Sequence, residues 1–162
     1  MPITTSSLNM NMDTAGSSAP LMHEILTKVN NAKDKPAKIA VLRKHDSVPL
    51  RQVLKGAFDP SIEWDLPEGT PPFNRNDAPA GTEHTTLHQE ARRLWHFVKG
   101  ADPKLSKTRK EMMYIQMLEG LHADEAKLLI AVKEKNLNST YKGLTDAVVK
   151  EAFGWNEDYK TA

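Results

Sequence analysis

The stretch from Ser106 to Lys135, SKTRKEMMYIQMLEGLHADEAKLLIAVKEK, constrains the fold more than any other. It reads as two helices broken at Glu119-Gly120-Leu121-His122. Thr108 and Glu111 stand three apart as in a capping box, where hydroxyl and carboxylate satisfy first-turn amides. Met112, Ile115 and Leu118, widened by Met113 and Met117, recur every three or four residues and form an apolar face. Gly120 is placed to end this helix in the left-handed conformation, with Leu121 folding back behind it. Asp124 then caps or charge-complements a second helix, in which Ala126, Leu129, Ile130 and Lys133 repeat the period. Two amphipathic helices in succession must bury their stripes, and the rest of the chain has to supply the surface.

Most of it does so as short helices. Pro20 opens one through Ala32, with Leu21, Met22, Ile25, Leu26 and Val29 on one side. Asp34 and Pro36 restart the chain into a second carrying Ile39, Val41 and Leu42. Ser47 with Pro49 begins a third, whose inner face is Leu50, Val53, Leu54, Ala57 and Phe58. Thr86 and Gln89 start a further helix to Gly100, with Leu87, Ala91, Leu94, Trp95 and Val98 inward. Thr145 caps a last one that buries Val148, Val149, Ala152 and Phe153 and closes at Gly154. Between Asp59 and Thr85 five prolines (60, 67, 71, 72, 79) forbid a helix. There Ile62, Trp64 and Leu66 alternate with acids, and Pro71-Pro72-Phe73 reads as a polyproline-like piece with an aromatic anchor. The expected fold class is therefore all-α: six or seven short helices over residues 20–155, wrapped by a Pro-rich acidic loop at 59–85. Residues 1–19 lack any period and form a flexible arm, either untethered or ordering on a neighbouring subunit through Leu8, Met10 and Met12. Residues 156–162 are expected to fray.

Charge is informative only when divided along the chain. The formal total is +1, but Asp59 to Glu90 holds seven acids against Arg75 alone. Ala91 to Lys110 then holds seven bases, Arg92, Arg93, Lys99, Lys104, Lys107, Arg109 and Lys110, against Asp102. Either the two blocks face each other, or the basic one meets an anionic partner. In the second case the bases form a phosphate-backbone footprint with Phe97 or Tyr114 nearby. The second helix of the central pair is poor in the Asn, Gln and Arg that read base edges, so it is not expected to act as a recognition helix.

Reactive constellations are scarce. With no cysteine, disulfides, thiol nucleophiles and thiolate metal sites are excluded. No serine elbow, phosphate-cradling glycine loop or HExxH pattern occurs. His84 and His88 are four apart, but a cap at Thr86 leaves His84 outside the helix, so surface histidines are the better reading and a metal-dependent hydrolase the weaker one. No cofactor, metal or membrane segment is expected.

GAFDPSIEWDLPEGTPPF, the run Trp-His-Phe-Val-Lys-Gly at 95–100, YIQMLEGLHADEAKLLIAVKEK and YKGLTDAVVKEAFGW together resemble an uncharacterised family of small proteins from T4-like myophages, especially those of marine cyanobacteria. The likeness spans Leu21 to Trp155. It implies a viral setting, in the host cytoplasm during infection or in the virion, and supplies no site residues. The expected function is a non-catalytic accessory protein that binds a nucleoprotein or a replication or transcription partner through the basic segment; the partner is a phage or host protein complex, with DNA or RNA among the candidates. The alternative is a virion or assembly component that uses Leu8, Met10, Met12, Trp64 and Phe73 for subunit contacts.

Overall fold

Sequence-local signals build the helices, and one of them is apolar around most of its girth and sits in the middle. The computed structural model describes residues 19–76 and 84–161. Among these it has α1 (Met22–Asn31), α2 (Lys35–Lys44), α3 (Val48–Phe58), α4 (Leu87–Glu90), a 3-10 helix (Ala91–Phe97), α5 (Lys107–Gly120), α6 (Ala123–Lys133), α7 (Leu137–Thr140) and α8 (Asp146–Phe153). Only two isolated β-bridges accompany them, so the chain is all-α. The helices exceed six or seven because the stretch expected as one helix from Thr86 divides into α4 and the 3-10 segment. The polar turn after Lys135 also contains the single turn α7.

Helix α6 is the hub. Ala126, Leu128, Leu129, Ala131 and Val132 are buried around its circumference, the signature of a helix surrounded by others. It packs against α1, α3, α5 and α7, while α2 bridges α1 and α8. Several termini are as the local sequence dictates: Asp34, Ser47 and Thr145 accept the third amide of α2, α3 and α8, and Gly154 ends α8 at φ 66°. The break between α5 and α6 differs. Gly120 is the last helical residue and is not left-handed; Leu121 ends the helix in extended conformation. Its value is closeness: a Cβ there would lie 3.2 Å from Thr85 Cγ2, and its carbonyl accepts the Thr85 amide. Ser106, not Thr108, caps α5, and His122, not Asp124, caps α6 through Nδ1. Residues 156–161, expected to fray, are folded back onto the body, and Ala162 lies outside the described residues. Tyr159 is buried, its hydroxyl donates to Asp146, its carbonyl takes the Lys55 ammonium, and Trp155 pairs with Thr161.

At the amino end of α6 lies the most consequential polar group. Glu125 is fully buried, yet its carboxylate accepts the Met22 amide at 2.8 Å and the Leu87 amide at 2.9 Å. Those are the first residues of α1 and α4, and Glu125 is itself in the first turn of α6. Three positive helix ends thus meet at one negative charge, which offsets the cost of removing it from water.

The proline-rich segment is fastened to the outside of this body by lysines. Lys133, buried, donates to the carbonyls of Pro67 and Gly69 and to Glu134. Lys135 donates to the carbonyls of Gly56 and Asp59, occupying the carboxyl end of α3 where a cation is favoured. Lys110, also buried, meets Asp65 at 2.8 Å, with Lys107 at 3.6 Å on the other oxygen. Backbone bonds from Asp65 N to Phe97 O and from Lys99 N to Glu63 O flank a bridge between Trp64 and Val98. Trp64 lies across Gly56, where any Cβ would come within 2.7 Å of the indole.

Truncating Glu125→Ala leaves two buried helix-start amides without an acceptor, at a cost of about 3 kcal/mol or more. The urea midpoint followed by far-UV circular dichroism should fall accordingly, with Glu125→Gln intermediate because its amide keeps one acceptor. The strap gives a pH signature. The hydrogen bond from Lys110 holds the Asp65 carboxyl below its ordinary 3.8, against partial desolvation and with Lys107 assisting. A depressed carboxyl contributes stability above its unfolded value and loses it as pH falls through the folded one. Asp65→Asn should therefore destabilise by about 2 kcal/mol near neutrality, less than a fully buried pair because Asp65 keeps some solvent contact. In urea titrations the gap from wild type should close as pH drops below the ordinary carboxylate range.

Candidate functional site

A 3-10 helix repeats every three residues, so positions i and i+3 lie one above the other. From Ala91 this repeat turns Ala91, Leu94 and Phe97 inward, all buried, and brings Arg92 and Trp95 onto one outer face. The α-helical period had placed Trp95 inside. Instead it is 49% exposed, while Phe97 and Tyr114, expected beside the bases, are core residues in edge-to-face contact at 5.9 Å. Among the described residues the exposed aromatic ring is Trp95. The signal was present in the spacing 91, 94, 97, which fits a period of three better than 3.6.

The Trp95 ring stacks on His96 at 3.9 Å, and His96 Nδ1 lies 2.8 Å from Asp102 Oδ2, which holds the imidazole in place. Beside it Arg92, Trp95, Leu94 and Val98 face Ile62, Trp64, Gln52 and Lys55 across a groove of about 170 Å³. That is below the ~300 Å³ at which small-molecule pockets begin, so the groove takes a ring edge and not a whole metabolite. The wall is apolar and its rim cationic.

The seven bases singled out from sequence do not form one uniform patch. Lys110 is buried in its pair with Asp65 and is removed from the surface set, because the strap's carboxylate draws it inward. Lys107 is exposed but shares Asp65, and Arg93 donates to Glu90 at 2.7 Å. Arg92, Lys99, Lys104 and Arg109 are exposed and have no ion pair among the described residues. The acidic and basic blocks therefore meet at Asp65 and Glu90 and elsewhere leave cations facing solvent. Trp64 and Phe73, expected as partner anchors, pack on the chain's own core, and Trp64 Nε1 donates to Gly56 O. Leu8, Met10 and Met12 lie outside the described residues.

Other candidate chemistry is less convergent. A wider groove, about 660 Å³, runs between Phe58, Trp64 and Leu66 and the end of α6, but its Lys133 and Lys135 are both engaged by carbonyls. His84 is exposed ahead of α4, while His88 is half-buried, its pKa lowered by burial and by nearby His45. Two histidines that the tertiary structure gathers around one carboxylate are His23 and His122, beside Asp124. No helix among the described residues is long and apolar enough to cross a membrane.

Neither the curated proteins nor the solved structures contain a match to this chain. A family model does match, over residues 25–139, which takes in α1 from its second turn to α7, the strap and the basic segment. The chain belongs to that family, DUF6433, a family of unknown function.

Proposed function

We infer that this chain is a non-catalytic accessory protein that binds single-stranded nucleic acid, bare or within a nucleoprotein, through the 3-10 helix and the turn that follows it. The observation that carries the reading is Trp95, half-exposed on the same face as Arg92, with an apolar groove beside it. A flat aromatic ring with cations around it is the device by which proteins hold unstacked bases: the ring accepts any base and the cations follow the phosphates. Arg92, Lys99, Lys104 and Arg109 supply the charge, with Lys107 and Arg93 as partly neutralised neighbours. Double-stranded readout is disfavoured, since α6, the second helix of the central pair, is packed on by four helices and carries no Arg, Asn or Gln to present to a groove. The likeness to small proteins of T4-like myophages supports an intracellular role during infection, on nucleic acid that phage replication or transcription exposes.

Anisotropy of a labelled single-stranded oligonucleotide, titrated with the full chain across a salt series, tests this. Affinity should fall with salt, and Arg92→Ala, Lys104→Ala and Arg109→Ala should each reduce the slope by about 0.7. Trp95→Ala should weaken binding by about tenfold while leaving the slope unchanged. Absence of binding at low salt overturns the reading, as does an unaltered affinity when Arg92, Lys99, Lys104 and Arg109 are all neutralised. Lys110 is kept in every variant, because its loss disturbs folding and not the surface.

A further inference from the structure

His23 stands in the first turn of α1 and His122 is the residue that caps α6. The two helix starts are drawn together by Glu125, which accepts the Met22 amide next to His23. As a result the two imidazoles lie side by side and tilted, ring centroids 5.0 Å apart and planes at 50°. Asp124, the second residue of α6, completes the group: one donor atom from each of His23, His122 and Asp124 lies within 4.8 Å of the others. His122 Nδ1 is 3.9 Å from Asp124 Oδ2.

We propose that His23, His122 and Asp124 form a binding site for Zn²⁺ or a similar borderline divalent ion, which staples the start of α1 to the start of α6. The donor set is two imidazole nitrogens and one carboxylate oxygen, the composition of a three-ligand zinc centre with one position left for water. Donors around tetrahedral zinc stand about 3.3 Å apart. The His122–Asp124 separation is already near that, and the exposed Asp124 side chain can close the remainder by rotation. Both histidines are half-buried and Asp124 faces solvent, so an ion has an entry path and a partly desolvated seat. Electrostatics cut both ways. Helix amino ends repel a cation, but Asp124 coordinates it directly and Glu125 places a second full negative charge in the same turn. His122 Nδ1 also accepts the Asp124 amide at 3.1 Å, so a metal on that nitrogen displaces a cap contact. The site is accordingly one of modest affinity. Hard ions such as Mg²⁺ and Ca²⁺, which take oxygen ligands, are poorly matched to it.

The test is independent of nucleic-acid binding. Isothermal titration of the full chain with Zn²⁺ should give one ion per molecule, Mg²⁺ should not compete, and the weak visible d–d absorption of Co²⁺ should intensify on binding. His122→Asn removes the ligand but keeps a side chain that caps helices well, so the fold is retained and zinc binding should weaken at least tenfold. Asp124→Asn should weaken it by a similar factor. The double variant His84→Ala/His88→Ala should bind as wild type does. Failure to bind zinc, undiminished binding by the His122→Asn chain, or loss of binding in the His84/His88 variant would each overturn the proposal.

Discussion

A carboxylate buried among helix amino ends governs how this fold is assembled. Glu125 sits in the first turn of the central helix and reaches the first amides of α1 and α4. Helix starts expose unsatisfied donors and partial positive charge, and three of them converging would repel one another without a shared anion. With it they become mutually attractive, and the chain's amino-terminal helix and the helix that leads into the basic segment are held to one hub. The position of His23 beside His122 follows directly, since both flank the same junction.

Around this body, lysine chemistry decides what is surface and what is fastening. Lys110 and Lys133 turn inward to the carbonyls and carboxylate of the proline-rich segment, and Lys135 bridges its first residue, Asp59, to the end of α3. That segment cannot form a helix and leaves carbonyls without partners, which buried or half-buried ammonium groups satisfy. Neutralisation is local, though. Arg92, Lys99, Lys104 and Arg109 stay exposed without an ion pair among the described residues, and Trp95 lies exposed beside Arg92 because the helix there is wound with three residues per turn. The exposed cationic surface, which we propose as the binding face, is thus the remainder left after the fold's internal demands for cations have been met.

How much of this could be read from the chain depends on the range of each interaction. Ser47 with Pro49 at the start of α3, and Thr145 with Gly154 at the ends of α8, were legible because a cap involves residues three or four apart. The apolar stripes of α1, α3 and α8 were legible for the same reason. Gly120 misled: glycine after a helix usually relieves a left-handed turn, but here it makes room for Thr85, a residue distant in sequence. Tyr159 misled similarly, since its burial depends on Lys55 and Asp146.

From its order of residues alone the protein determines an all-helical body, where most of its helices begin and end, and which segment carries excess positive charge. These follow from backbone capping, side-chain periodicity and proline's missing donor, all of which act over one or two turns. Tertiary structure alone decided that Lys110 is buried and Trp95 exposed, that Glu125 joins three helices, and that His23 meets His122. Those outcomes turn on which distant groups share a low-dielectric interior, where one unmatched charge or amide costs more than any local preference can supply.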